Sequence, residues 1–131
     1  IEETYSLNES VVIKNLKFTA AELKENKGND YFEPSDNNVF VGIKFEIENI
    51  SDKEQSVSSL LFDAYVDGVK SEYSFSASCV FDEGTLSGNI APGKKIVGWY
   101  SLEVLENWGD VELIVRGNTI SNDTATFVFE K

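Results

Sequence analysis

An all-β fold, an antiparallel sandwich of two sheets with about seven to nine strands, is predicted on three observations. Apolar residues alternate with mostly polar ones through Val39, Val41, Ile43, Phe45 and Ile47; Asp67-Gly68 separates two further β-type runs; Pro92-Gly93 opens another. A period of two is what a strand with one face on a core requires. Asp-Gly supplies the positive φ that a type I′ hairpin turn needs at both central positions.

Taken in order, Val11 to Leu23 does not follow one period cleanly and reads as a strand with a bulge, with Glu22 to Glu25 able to continue as a short helical turn. Gly28-Asn29-Asp30 and Pro34-Ser35-Asp36-Asn37-Asn38 break any longer helix and predict a polar loop with Tyr31 and Phe32 inside it. The strand over 39–49 ends at a turn-rich segment, Asn49 to Lys53. Leu60, Phe62, Ala64 and Val66 form one face of the next strand, and Val69 to Phe75 should return antiparallel after the Asp-Gly turn. In Lys94 to Val104, Ile96, Gly98, Tyr100, Leu102 and Val104 alternate with Val97 and Trp99, so that strand is central or leaves Trp99 partly exposed. Val111, Leu113 and Val115, then Ala125, Phe127 and Phe129, supply the last two strands, across a polar loop at Gly117 to Asp123. No repeat or linker interrupts the chain, which reads as one domain over residues 1–131.

Composition limits function. With 131 residues, 41% hydrophobic and 26% charged, the chain can bury roughly two thirds of its unfolded surface in one core, and no apolar run approaches the length of a membrane span. Acidic residues outnumber basic ones 23 to 11, a formal charge of -12 that repels phosphate backbones and anionic headgroups; nucleic acid is not an expected partner. Cys79 is the one cysteine, so no internal disulfide exists, and with no histidine to activate it a structural thiol is expected. The chain starts at Ile1 and holds no methionine, so an upstream segment is expected.

Four features come in order: Phe40 to Asn49 ending in a short polar turn, the Asp67-Gly68 hairpin, Ile90-Ala91-Pro92-Gly93, and Gly98-Trp99-Tyr100-Ser101-Leu102-Glu103-Val104. Together, over residues 11–115, they resemble a family of immunoglobulin-like domains of unknown function from secreted proteins and lipoproteins of Gram-positive bacteria. The antibody pattern of Cys, Trp and Cys is absent, so the resemblance is architectural. It implies an immunoglobulin-like sandwich held outside the membrane through an upstream lipid anchor or a flexible linker, and it implies no catalytic or ligand residue.

Candidate sites follow from side-chain chemistry. Catalysis is not expected: histidine, Gly-x-Ser-x-Gly, a phosphate loop and Cys/His metal spacing are all missing. Asp30, Glu33 and Asp36, with Asn37 and Asn38, crowd oxygen ligands into one loop as calcium requires, though turn chemistry explains the same residues. Asp82-Glu83 beside Gly84 has the same two readings. Sugar-stacking candidates are Trp108, Trp99, Tyr100 and Tyr31, with Phe32; Trp108 leads because Glu106 to Asp110 reads as a loop, where capping the sandwich is the competing role. Asn8-Glu9-Ser10, Asn49-Ile50-Ser51 and Asn122-Asp123-Thr124 fit the glycosylation pattern, as chance triplets do. The expected function is a non-catalytic extracellular domain serving protein interaction, adhesion or envelope scaffolding. The alternative is a module binding cell-wall glycan, assisted by calcium, and no other cofactor is expected.

Overall fold

The computed structural model describes residues 3–81, 86–118 and 123–131. Strands dominate. One sheet is built from β1 (Thr4–Tyr5), β11 (Thr124–Glu130), β10 (Asp110–Arg116), β6 (Phe62–Val66) and β7 (Val69–Ser71), hydrogen-bonded in that order. The facing sheet has β2 (Ser10–Ile13), β3 (Leu16–Asn26), β4 (Asn38–Asn49) and β9 (Lys95–Leu105). A small third sheet pairs β5 (Gln55–Val57) with β8 (Gly88–Ile90). All pairings are antiparallel except that of β1 with β11. The predicted sandwich is present, and its strands exceed the expected number because β1, β5 and β8 are too short to show a period in sequence.

The core lies where the alternation puts it. Val39, Val41, Ile43, Phe45 and Ile47 are buried, as are Leu16, Phe18, Leu113, Val115, Phe127 and Phe129 from the neighbouring strands. Aromatic rings join the two sheets: Phe45 meets Phe127 edge to face at 5.2 Å and Phe62 at the same distance, and Phe62 continues to Tyr100 at 5.0 Å. Such tilted and edge contacts suit the ring quadrupole. Asp67 (φ 50) and Gly68 (φ 83) form the left-handed pair the hairpin needs, and the pairing of β3 with β4 shifts register between Ala20 and Glu22, the expected bulge.

Four local expectations are corrected. Glu22 to Glu25 is strand, since pairing with β4 continues to Asn26↔Phe40 and satisfies the backbone a helical turn would have closed locally. Leu60 points outward, 73% exposed, because a 3-10 turn at Ser59–Leu61 precedes β6 and hands the buried place to Leu61. Only Val69–Ser71 returns as strand. Beyond it Ser74 caps a one-turn helix, α1 (Phe75–Ser78), its side chain accepting from the Ala77 amide at 3.1 Å.

The fourth correction concerns β9, which is an edge strand rather than a central one. Trp99 is nevertheless buried, because the segment around α1 lies across the outer face of the β4–β9 pair. Ala77 and Phe81 close there over Phe40 and Trp99 as a second small core. Phe81 stacks on Trp99 at 5.0 Å.

Candidate functional site

The loop proposed for calcium is held by turn chemistry. The Asn29 carboxamide oxygen accepts from the amides of Tyr31 and Phe32, both at 2.9 Å, and the Asn26 side chain accepts from the Gly28 amide at 2.6 Å. Gly28 sits at φ +99, where a Cβ would come within 2.4 Å of the Phe32 carbonyl oxygen. Glu103 of β9 closes the loop, accepting from the Ser35 amide at 3.0 Å and from Asn38 Nδ2 at 2.8 Å. Those donors hold its carboxyl below the ordinary glutamate value. Asp30, Glu33 and Asp36 do not converge: among the described residues no group of three acidic or thiol side chains is placed to hold a metal ion. Asp82-Glu83-Gly84 lies outside the described residues, as does Asn122 of the third glycosylation triplet.

The aromatics proposed for sugar stacking are placed differently from one another. Trp108 is 2% exposed and belongs to the main core, its ring covered from outside by the Lys131 ammonium at 5.8 Å from the centroid. It caps the end of the sandwich. Trp99 and Tyr100 are buried too, on opposite faces of β9. Tyr31 is 88% exposed and Phe32 half-buried against the smaller core. A stacking platform needs an accessible ring face, so Trp108, Trp99 and Tyr100 are corrected from ligand-binding to packing residues.

Cys79 ends α1 and is partly buried, with no disulfide partner. Asn49, in the second glycosylation triplet, is fully buried and bonded to protein groups, so it presents no acceptor.

The candidate functional surface lies elsewhere, along the side of the sandwich where the edges β11 and β2 face each other. β1 bridges that side, and the Lys14–Asp123 ion pair at 3.2 Å closes one end of it. The register of β1 with β11 is two residues long, Thr4↔Thr126 and Tyr5↔Phe127, after which the chain crosses to the other sheet, Asn8 donating to the Ala20 carbonyl at 2.7 Å. A groove remains on each side of β1. One, of about 370 Å³, runs past Val11 to Lys14 and Thr124; the other, of about 560 Å³, lies between the Ser6 to Glu9 crossing and Val128 to Glu130. Sequence reasoning missed both, since two residues of strand carry no periodic signal and the facing edges are distant in the chain.

A family model for a domain of unknown function, DUF4352, matches residues 5–126. The chain belongs to this family. Solved structures with the same fold include the candidate lipoprotein YcdA of Bacillus subtilis (TM-score 0.74, 15% identity, 92% of this chain and 38% of YcdA). YjhA of Bacillus subtilis is similar over nearly its whole length (TM-score 0.71, 16% identity, 95% of this chain, 98% of YjhA). An uncharacterised β-sandwich protein of Clostridium difficile matches at TM-score 0.59 and 12% identity, over 99% of this chain and 95% of its own. The chain thus spans well under half of YcdA but almost all of the other two. Curated protein sequences give no match. In this DUF4352 domain, as in its neighbours, the β-sandwich is the shared property.

Proposed function

We propose that the chain is a non-catalytic interaction domain on the outside of a Gram-positive cell, part of a secreted or lipid-anchored protein, with an immunoglobulin-like sandwich as scaffold. The observation that carries this reading is how the side chains are used. The large aromatics of β9 and the Trp108 turn are spent on packing, and the oxygen-rich loop on its own turns, while strand edges and scattered apolar residues stay open: Leu7, Val12, Val69 and Leu105 are all exposed. Sheet edges and exposed apolar side chains recognise other polypeptides.

Location is supported by the likeness to YcdA, a candidate lipoprotein, and by the charge of -12, which suits a soluble display domain and disfavours anionic lipid and nucleic acid. Glycan binding loses support with the burial of its proposed platform. Protease treatment of intact cells producing the full-length protein tests the reading. Digestion of the domain while a cytoplasmic marker survives is expected; protection until the cells are lysed would overturn it.

A further inference from the structure

The geometry points to the groove between Ser6–Glu9 and Val128–Glu130 as a docking site for an extended, basic peptide segment of a partner protein, added as a strand to the free edge of β11. This inference rests on the interaction-domain reading above and names its surface and the chemistry of its partner.

Backbone direction is the first support. Lys131 donates its amide to the Gly109 carbonyl at 3.0 Å, so the odd-numbered residues of β11 turn their backbone groups toward β10. By the alternation of an antiparallel ladder, Thr126, Val128 and Glu130 turn theirs the other way, toward β1. The β1 register stops at Tyr5↔Phe127, where a parallel ladder sets Tyr5 between the Thr126 carbonyl and the Val128 amide, so among the described residues the outward groups of β11 from the Val128 carbonyl through Glu130 have no strand opposite. A bare strand edge pairs with another extended chain.

Shape and charge are the second and third. The groove of about 560 Å³ beside that edge brings together Leu7, 39% exposed, the half-buried Leu23 and the Phe129 side of β11, an apolar lining for alternate side chains of an incoming strand. Glu9 stands on one wall and Glu130 at the end of the other, and among the described residues no lysine or arginine lines the groove. Lys131 turns away, to Glu25, the Glu106 carbonyl and the Trp108 ring. The cavity is therefore acidic in a chain of net charge -12. Cationic side chains on the peptide complement it, whereas a second copy of this chain would bring like charge.

The test is titration of the isotope-labelled chain with a short peptide of alternating lysine and valine, and with its counterpart of alternating glutamate and valine, followed by amide NMR. Shifts at Leu7, Val128 and Glu130 with the lysine peptide only, weakening with added salt, are expected. The double change Glu9→Gln with Glu130→Gln should weaken binding about tenfold. Glu130→Pro, which removes an outward amide, should weaken it further than Glu130→Gln alone. Shifts mapping elsewhere, equal binding of the glutamate peptide, an unaffected Glu130→Pro variant, or dimerisation of the chain through this edge would each overturn the inference. If Glu130→Pro does not fold, the mapped shifts and the glutamine pair decide. Because the titration uses purified protein, its failure leaves the surface-location reading standing, and a failure of the protease experiment leaves the groove standing.

Discussion

The Asn49 side chain, buried at the end of β4, makes four hydrogen bonds. Its Nδ2 donates to the carbonyls of Lys53 and Ile90, both at 2.7 Å, and its Oδ1 accepts from the amide and hydroxyl of Ser51 at 2.9 and 2.7 Å. One side chain thus shapes the turn after β4 and ties it to β8. Asn49→Ala leaves the buried Ile90 carbonyl without that donor and the Ser51 amide without its acceptor, and a loss of about 1–3 kcal/mol in denaturant unfolding is expected. The same residue reads in sequence merely as the end of a strand, because a network that reaches 41 positions along the chain to Ile90 has no local pattern. Trp108 teaches the converse. An aromatic in a turn suggests a binding residue only if its face is open, and here the core closes over it, its indole N–H buried without a hydrogen-bond partner. Trp108→Ala should cost about 3–5 kcal/mol, while Trp108→Phe, which keeps most of the ring and removes the orphan donor, should cost about 1.5 kcal/mol or less. Urea titration of both variants separates this packing role from a surface role, in which neither change would matter.

Among the elements, the long strands were legible and the short ones were not. β4, β9, β10 and β11 announce themselves because each holds one face on the core through several alternations. The failures share a cause. Phe40 and Trp99 lie on the outer face of their strands, where a two-layer reading expects polar residues, and only the α1 segment folding back over them makes those positions interior. Gly42 shows how tight that closure is: a Cβ there would meet two ring carbons of Phe81 and one of Trp99 at 2.9 Å. Lys24 lies over the Trp99 ring at 5.5 Å from its centroid and adds a cation–π contact. Gly42→Ala is therefore expected to push Phe81 off the sheet, costing about 1–3 kcal/mol. It should also red-shift the tryptophan fluorescence as Trp99 meets water. An unchanged spectrum and stability would mean that α1 does not clamp this face.

Across the whole molecule, the ring network linking the sheets includes a buried tyrosine, Tyr100. Burial raises the Tyr100 hydroxyl well above its ordinary value, with the Glu72 and Asp63 carboxylates adding to the effect. A group whose ionisation is suppressed by folding contributes stability that is complete below its unfolded value, about pH 10, and declines as pH rises beyond it. Denaturant midpoints should therefore fall above about pH 10, and Tyr100→Phe should flatten that alkaline limb. On the same scale one side of the sandwich carries two grooves. The two residues of β1 lie along β11 beside the gap to β2, grooves lie on both flanks, and the proposed interaction surface is there rather than at the aromatics or the acidic loop. Photocrosslinking on intact cells tests that assignment most directly, with a photoreactive residue placed at Leu7 beside the groove and, in a second strain, at Ser56 on the small sheet. Protein adducts from Leu7 and none from Ser56 are predicted; equal adducts from both, or adducts from Ser56 alone, would contradict it.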